Sequence, residues 1–75
     1  MSKKAEEILR NVYISYNKGE KFLKMKAPLS SQIHEFNMAV KEIENYICFI
    51  ERNMINIKIA LTEDGLEYCI ENIEI

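Results

Sequence analysis

The chain has 75 residues, 48% of them hydrophobic and 29% charged, with one Pro, two Gly and a formal net charge of −2. This globular composition excludes a disordered or collagen-like chain, and the length allows one core, hence a single domain spanning residues 1–75. A domain so small hides only roughly 60% of the surface its unfolded chain exposes, so it must either be well packed or borrow a partner's surface, as a homodimer would.

The longest apolar runs, such as Tyr46–Ile50, fall far short of the ~20 residues that cross a bilayer. The basic start Met1–Lys4 runs into Glu6 and Glu7 rather than an apolar leader. No membrane partner and a cytoplasmic location are therefore expected. Cys48 and Cys69 lack a CxxC spacing and sit among apolar or aromatic neighbours, which reads as two reduced, buried thiols. The net charge hides an asymmetry. Residues 1–26 hold seven Lys and Arg against three Glu, while the remainder holds three against nine acids. Such a division can mark one face for an anionic partner.

From Lys3 to Asn17, Ala5, Ile8, Leu9, Val12 and Tyr16 trace the stripe of an amphipathic helix. Ser2 can cap its start and Gly19 can end it. Glu20–Leu29 carries Phe22, Leu23 and Met25 among lysines before Pro28 stops any helix, so a short second helix is the most this segment allows. Ser30 or Ser31 is a natural N-cap for a third helix, in which Ile33, Phe36, Val40, Ile43 and Ile47 step by three and four and which ends near Tyr46. The period then falls toward 2. Ile47–Ile50 and Asn56–Leu61 read as the strands of a β-hairpin whose tip, Arg52–Ile55, is polar and flexible. Thr62 can cap a last helix with Glu63 and Asp64 in its first turn, and Leu66, Cys69, Ile70 and Ile73 form its apolar face.

Helix, short helix, helix, β-hairpin wing and C-terminal helix is the order of an α+β winged-helix domain. Ile57–Tyr68, with Leu61, Thr62, Gly65 and Tyr68 spelling LTxxGxxY, resembles the wing strand and following helix of many small bacterial and phage winged-helix proteins. Glu35–Ile43 resembles the third helix of the YjcQ-like group. The resemblance covers the last forty residues or so and implies a fold rather than one function, because this scaffold serves DNA readers, dimerisation modules and protein-docking modules alike. A Gly often precedes the first wing strand in such proteins; here Ile47 and Cys48 stand there.

Catalysis needs convergent groups. His34 is the single histidine, no nucleophile signature lies near it, and it reads as a helix-surface residue. Cys48, Cys69 and His34 contain no close ligand pair, so neither a metal nor any other cofactor is expected. The acids Glu42, Glu44, Glu63 and Asp64 read as a solvated face. The sequence therefore points to a non-enzymatic DNA-binding regulator acting as a homodimer on double-stranded DNA, of phage or plasmid type. The third helix would enter the major groove and the hairpin would reach the flanking backbone or minor groove. Gln32, Asn37, Lys41 and Asn45 would face the bases, and Lys18, Lys21, Lys24, Lys26, Arg52, Asn53 and Lys58 the backbone. Against this, Ser30–Tyr46 carries one Lys and three Glu, a poor match to phosphate. The alternative is a protein-docking or self-association module that leaves DNA alone, using the tail Asn72–Ile75 to add a strand or pack on a partner.

Overall fold

The stripe that marks the first segment as helical is buried along its length. Ala5, Ile8, Leu9 and Val12 are all shielded from solvent, and they turn one face of α1 (Lys3–Asn17) toward the core. Ser2 accepts the Ala5 N–H at the start of the helix and so satisfies one of its free donors. At the other end Gly19 takes φ +87°, the left-handed conformation that glycine adopts without strain. The Gly19 N–H then donates to the Tyr16 carbonyl and the Glu20 N–H to the Ser15 carbonyl, the paired bonds of a Schellman cap.

A computed structural model describes residues 1–74. After α1 come β1 (Leu23–Lys26), α2 (Ile33–Glu42), β2 (Ile47–Arg52), β3 (Asn56–Leu61) and α3 (Glu63–Asn72). Among the described residues the fold is thus a small α+β arrangement of three helices and one antiparallel sheet in the order β1-β3-β2. Helix α1 is the hub, packing against α2, α3, β1 and β3. Phe36 and Ala39 from α2, Ile43 and Ile47 beyond it, Ile57 and Ile59 from β3 and Cys69 from α3 complete one hydrophobic cluster with the α1 stripe. Each large aliphatic or aromatic side chain buried there stabilises the fold by about 1.5–3 kcal/mol before chain entropy is charged against it.

The short second helix expected in Glu20–Leu29 is instead the edge strand β1. Leu23 and Met25 turn toward the core while Lys24 and Lys26 are exposed, a period of 2 that a helix would scramble. What decides it is the free edge of β3, on which Leu23 pairs with Ile59 and Lys26 with Asn56. The third helix is also shorter than expected. Neither Ser30 nor Ser31 caps it; its N-cap is Gln32, which makes no side-chain cap bond and whose N–H donates to the Leu29 carbonyl. Ile33 is accordingly exposed rather than on the core stripe. The helix stops at Glu42 and not near Tyr46, because a turn closed by the Tyr46 N–H on the Ile43 carbonyl carries both Ile43 and Ile47 into the core.

Further side chains depart from their expected positions. Tyr16 and Ile70 lie exposed, and Cys48 is exposed, while Cys69 is buried as expected. Cys48 pairs with Ala60 on the sheet face away from the core, where strand alternation sends every second residue. Burial pushes the Cys69 thiol up to about 11, so it stays protonated at neutral pH. Ile73, the C-cap of α3, has extended backbone and packs against the core; Ile75, also assigned to the docking tail, lies outside the described residues.

The junction of β3 and α3 accounts for the LTxxGxxY residues. Leu61 packs against the core. The Thr62 hydroxyl accepts the Gly65 N–H and donates to the Asn45 carbonyl, while its backbone N–H donates to the Tyr46 carbonyl. Gly65 sits so close to that turn that a Cβ would lie 1.8 Å from the Tyr46 carbonyl oxygen. The Tyr68 ring stacks on Tyr46, centroids 4.6 Å apart. Thr62, Gly65 and Tyr68 thus hold α3 against the 43–46 turn.

Candidate nucleic-acid interface

Antiparallel register places the basic residues. On the outer sheet face Lys24 stands directly opposite Lys58, and Lys26 opposite Asn56. Like charges directly opposed destabilise a strand pair. Two contacts offset this: Glu51 pairs with Lys58 from the other side, and the Lys58 ammonium lies 5.1 Å from the Phe22 ring centroid, close enough for a cation–π attraction.

The hairpin tip, residues 53–55, and the start of α2 share one end of the molecule. Ser30 and Ile33 line a groove with Arg52, Asn53 and Met54, and Lys26 and Gln32 line a neighbouring one with Leu29. Five of the sequence-predicted contacts, Lys26, Gln32, Asn37, Arg52 and Asn53, thus gather at this end, with Lys24 and Lys58 next to them on the sheet. Two are already engaged with each other, since Arg52 Nη2 donates to Asn37 Oδ1 at 2.6 Å. The same guanidinium stacks 4.9 Å from Phe49 and 5.5 Å from Phe36.

Other predicted contacts lie elsewhere. Lys21 lines a groove with Tyr16, Gly19 and Leu61 at the far end of β3, and Lys18 precedes Gly19 in the same turn. At about 3.3 Å per extended residue the stretch from Lys21 to Lys26 spans roughly 16 Å, so the four lysines do not form one patch. The Asn45 carbonyl accepts from Thr62 at the start of α3, and Lys41 lies in the last turn of α2. Glu42 is occupied as well, accepting hydrogen bonds from the Ser2 backbone N–H and hydroxyl; these hold its carboxyl below the usual value.

Sequence reasoning missed the apolar character of this end. The tip expected to be polar also presents two large apolar side chains to solvent, on a turn closed by hydrogen bonds. Asn53 Oδ1 accepts the N–H groups of both Ile55 and Asn56 at 2.8 Å, the Asn53 N–H donates to the Asn56 carbonyl, and the Ala27 N–H donates to the Ile55 carbonyl. These bonds tether the tip, yet Met54 is 96% and Ile55 74% exposed. Leu29 and Ile33 are exposed nearby. The available signal was the consecutive pair Met54–Ile55 in a turn, where Gly, Asn, Asp or Pro is usual.

Among the described residues no three His, Cys, Asp or Glu side chains are grouped to hold a metal ion, and no helix is long and apolar enough to cross a membrane. His34 is exposed on α2. Comparison with protein-family models, with curated proteins and with solved structures finds no match.

Proposed function

We propose that this chain is a non-enzymatic winged-helix module that binds duplex DNA as a homodimer, as a small regulator does. The arrangement of helix, strand, helix, two-stranded hairpin and helix is compatible with a winged-helix domain, with α2 as the helix offered to a groove and β2–β3 as the wing. The observation that carries the reading is the gathering of Lys26, Gln32, Arg52 and Asn53 at the hairpin end, with Lys24 and Lys58 opposite each other on the outer face of the adjoining sheet. Phosphate neutralisation supplies most of non-specific affinity. The exposed face of α2 supplies little of it, because Glu35 and Glu42 outnumber Lys41. Backbone contacts therefore come from the sheet and wing, and a pair of copies doubles them.

The test is fluorescence anisotropy on random-sequence duplex at about 50 mM and about 200 mM salt, with mass by light scattering in the same buffers. Wild type is expected to bind in the micromolar range with steep salt dependence. Lys24→Glu with Lys26→Glu should weaken binding to every sequence and flatten the salt slope, with thermal stability nearly unchanged. No binding of wild type at low salt removes the reading.

A second reading, docking to another protein, is favoured by one observation: Met38 is 59% exposed in a shallow, largely apolar groove between α2 and the start of α1, beside Lys3, His34 and Ala39. An assembly larger than one chain that Met38→Glu dissolves, in a protein that ignores DNA, would support it.

A further inference from the structure

We infer that the hairpin tip is an apolar wedge, in which Met54 and Ile55 enter the minor groove of duplex DNA, unstack a base step and bend the helix. This rests on the DNA-binding reading above and goes beyond it by giving the wing a specific task. Scattered surface hydrophobics are ordinary. These two are not scattered: they are consecutive, occupy the centre of a turn, and are 96% and 74% exposed. Folding gains almost nothing from Met54, which buries almost none of its surface.

The backbone around them is prepared in advance. Among the described residues no non-glycine has positive φ, so the turn is not one of the primed types that match strand twist; Asn53 holds it instead by accepting two N–H groups. A side chain pushed between bases must be carried by a support that does not yield, and the Ala27 bond to the Ile55 carbonyl ties the tip to β1 as well.

The flanking chemistry selects nucleic acid over an apolar protein surface. Around the tip the hairpin carries Arg52, Asn53, Asn56 and Lys58, with Glu51 opposite Lys58 as its one acid, and Lys26 lies opposite Asn56 on β1. Cations and amides around an apolar point are what minor-groove proteins use: Arg, Lys and Asn meet the acceptors on the groove floor and the phosphates, while Met, Ile, Leu, Phe or Pro side chains pry a base step apart. Pyrimidine–purine steps such as TA unstack at least cost, so the wedge should favour them even though no side chain reads their sequence.

The experiment uses the whole chain and short duplexes carrying a fluorescent adenine analogue at a central TA step, with donor and acceptor dyes at the ends. Binding of wild type should raise the analogue's fluorescence, through unstacking, and the end-to-end energy transfer, through bending. Met54→Ser with Ile55→Ser should abolish both signals and weaken binding about tenfold, with the salt slope kept because no phosphate contact is lost. Wild type that binds without either signal overturns the wedge alone; wild type that binds no DNA at all overturns it together with the function on which it rests. A double variant that still bends DNA but loses an oligomeric mass by light scattering assigns the tip to protein contact and overturns the wedge.

Discussion

The two ends of β3 use their residues in opposite ways. At the Leu61 end, Thr62, Gly65 and Tyr68 all have partners within the fold: a helix cap, a carbonyl too close for any Cβ, and a stacked ring. At the Asn56 end, Met54 and Ile55 have almost none, although Asn53 spends its side chain on holding them in place. Residues fully engaged in folding explain themselves. Apolar residues kept in water on a tethered turn do not, and this contrast sets the hairpin tip apart from the motif that the sequence makes most visible.

Substitutions can break or sharpen the contrast. Gly65→Ala should have the largest effect, because its methyl group meets a backbone carbonyl that already accepts the Thr62 N–H; a loss of about 3 kcal/mol or more, read as a fall of at least about 12 °C in Tm, is expected. A Tm within a few degrees of wild type would mean that α3 can shift off the 43–46 turn. Thr62→Ala removes the cap of α3 and the bond to the Asn45 carbonyl and should cost about 1–2 kcal/mol in denaturant titration.

A smaller effect is expected from pH. Hydrogen bonds from Ser2 lower the Glu42 carboxyl from its ordinary value of 4.5, so the unfolded chain binds that proton more readily than the folded one. The contribution is present above the ordinary value and is lost as pH falls through the lowered one. Glu42→Gln should flatten the acid limb of a stability–pH curve slightly, and an unchanged curve would show that the Ser2 contact contributes nothing in solution. Smallest of all, Met54→Ser with Ile55→Ser should leave stability within about 0.5 kcal/mol of wild type by the same titration. A larger loss would place the tip with the folding residues and erase the contrast.

Much of the framework is legible in the order of residues alone. The spacing of Ala5, Ile8, Leu9 and Val12 suffices for α1, Gly19 and Thr62 mark a helix end and a helix start, and alternation in Asn56–Leu61 suffices for β3, because each of these signals is local. The candidate site was legible by residue type but not by place. Lys18, Lys21, Lys24 and Lys26 look like one patch along the chain, yet an extended backbone spreads them from one end of the sheet to the other. Arg52 and Asn37 look like two free contacts, yet the hairpin folds one onto the other.

By itself the sequence determined the buried stripe of α1, the alternation of β3 and the helix ends marked by Ser2, Gly19 and Thr62, because these depend on neighbours a few residues apart. Only the tertiary structure decided that Leu23–Lys26 is a strand, since the same four residues need the edge of β3 to satisfy their backbone. It alone decided that Cys48 faces solvent and that Met54 and Ile55 stand out at the end that gathers Lys26, Gln32 and Arg52. Exposure and charge clustering are sums over residues distant in the chain, and they come into existence only when the chain closes on itself.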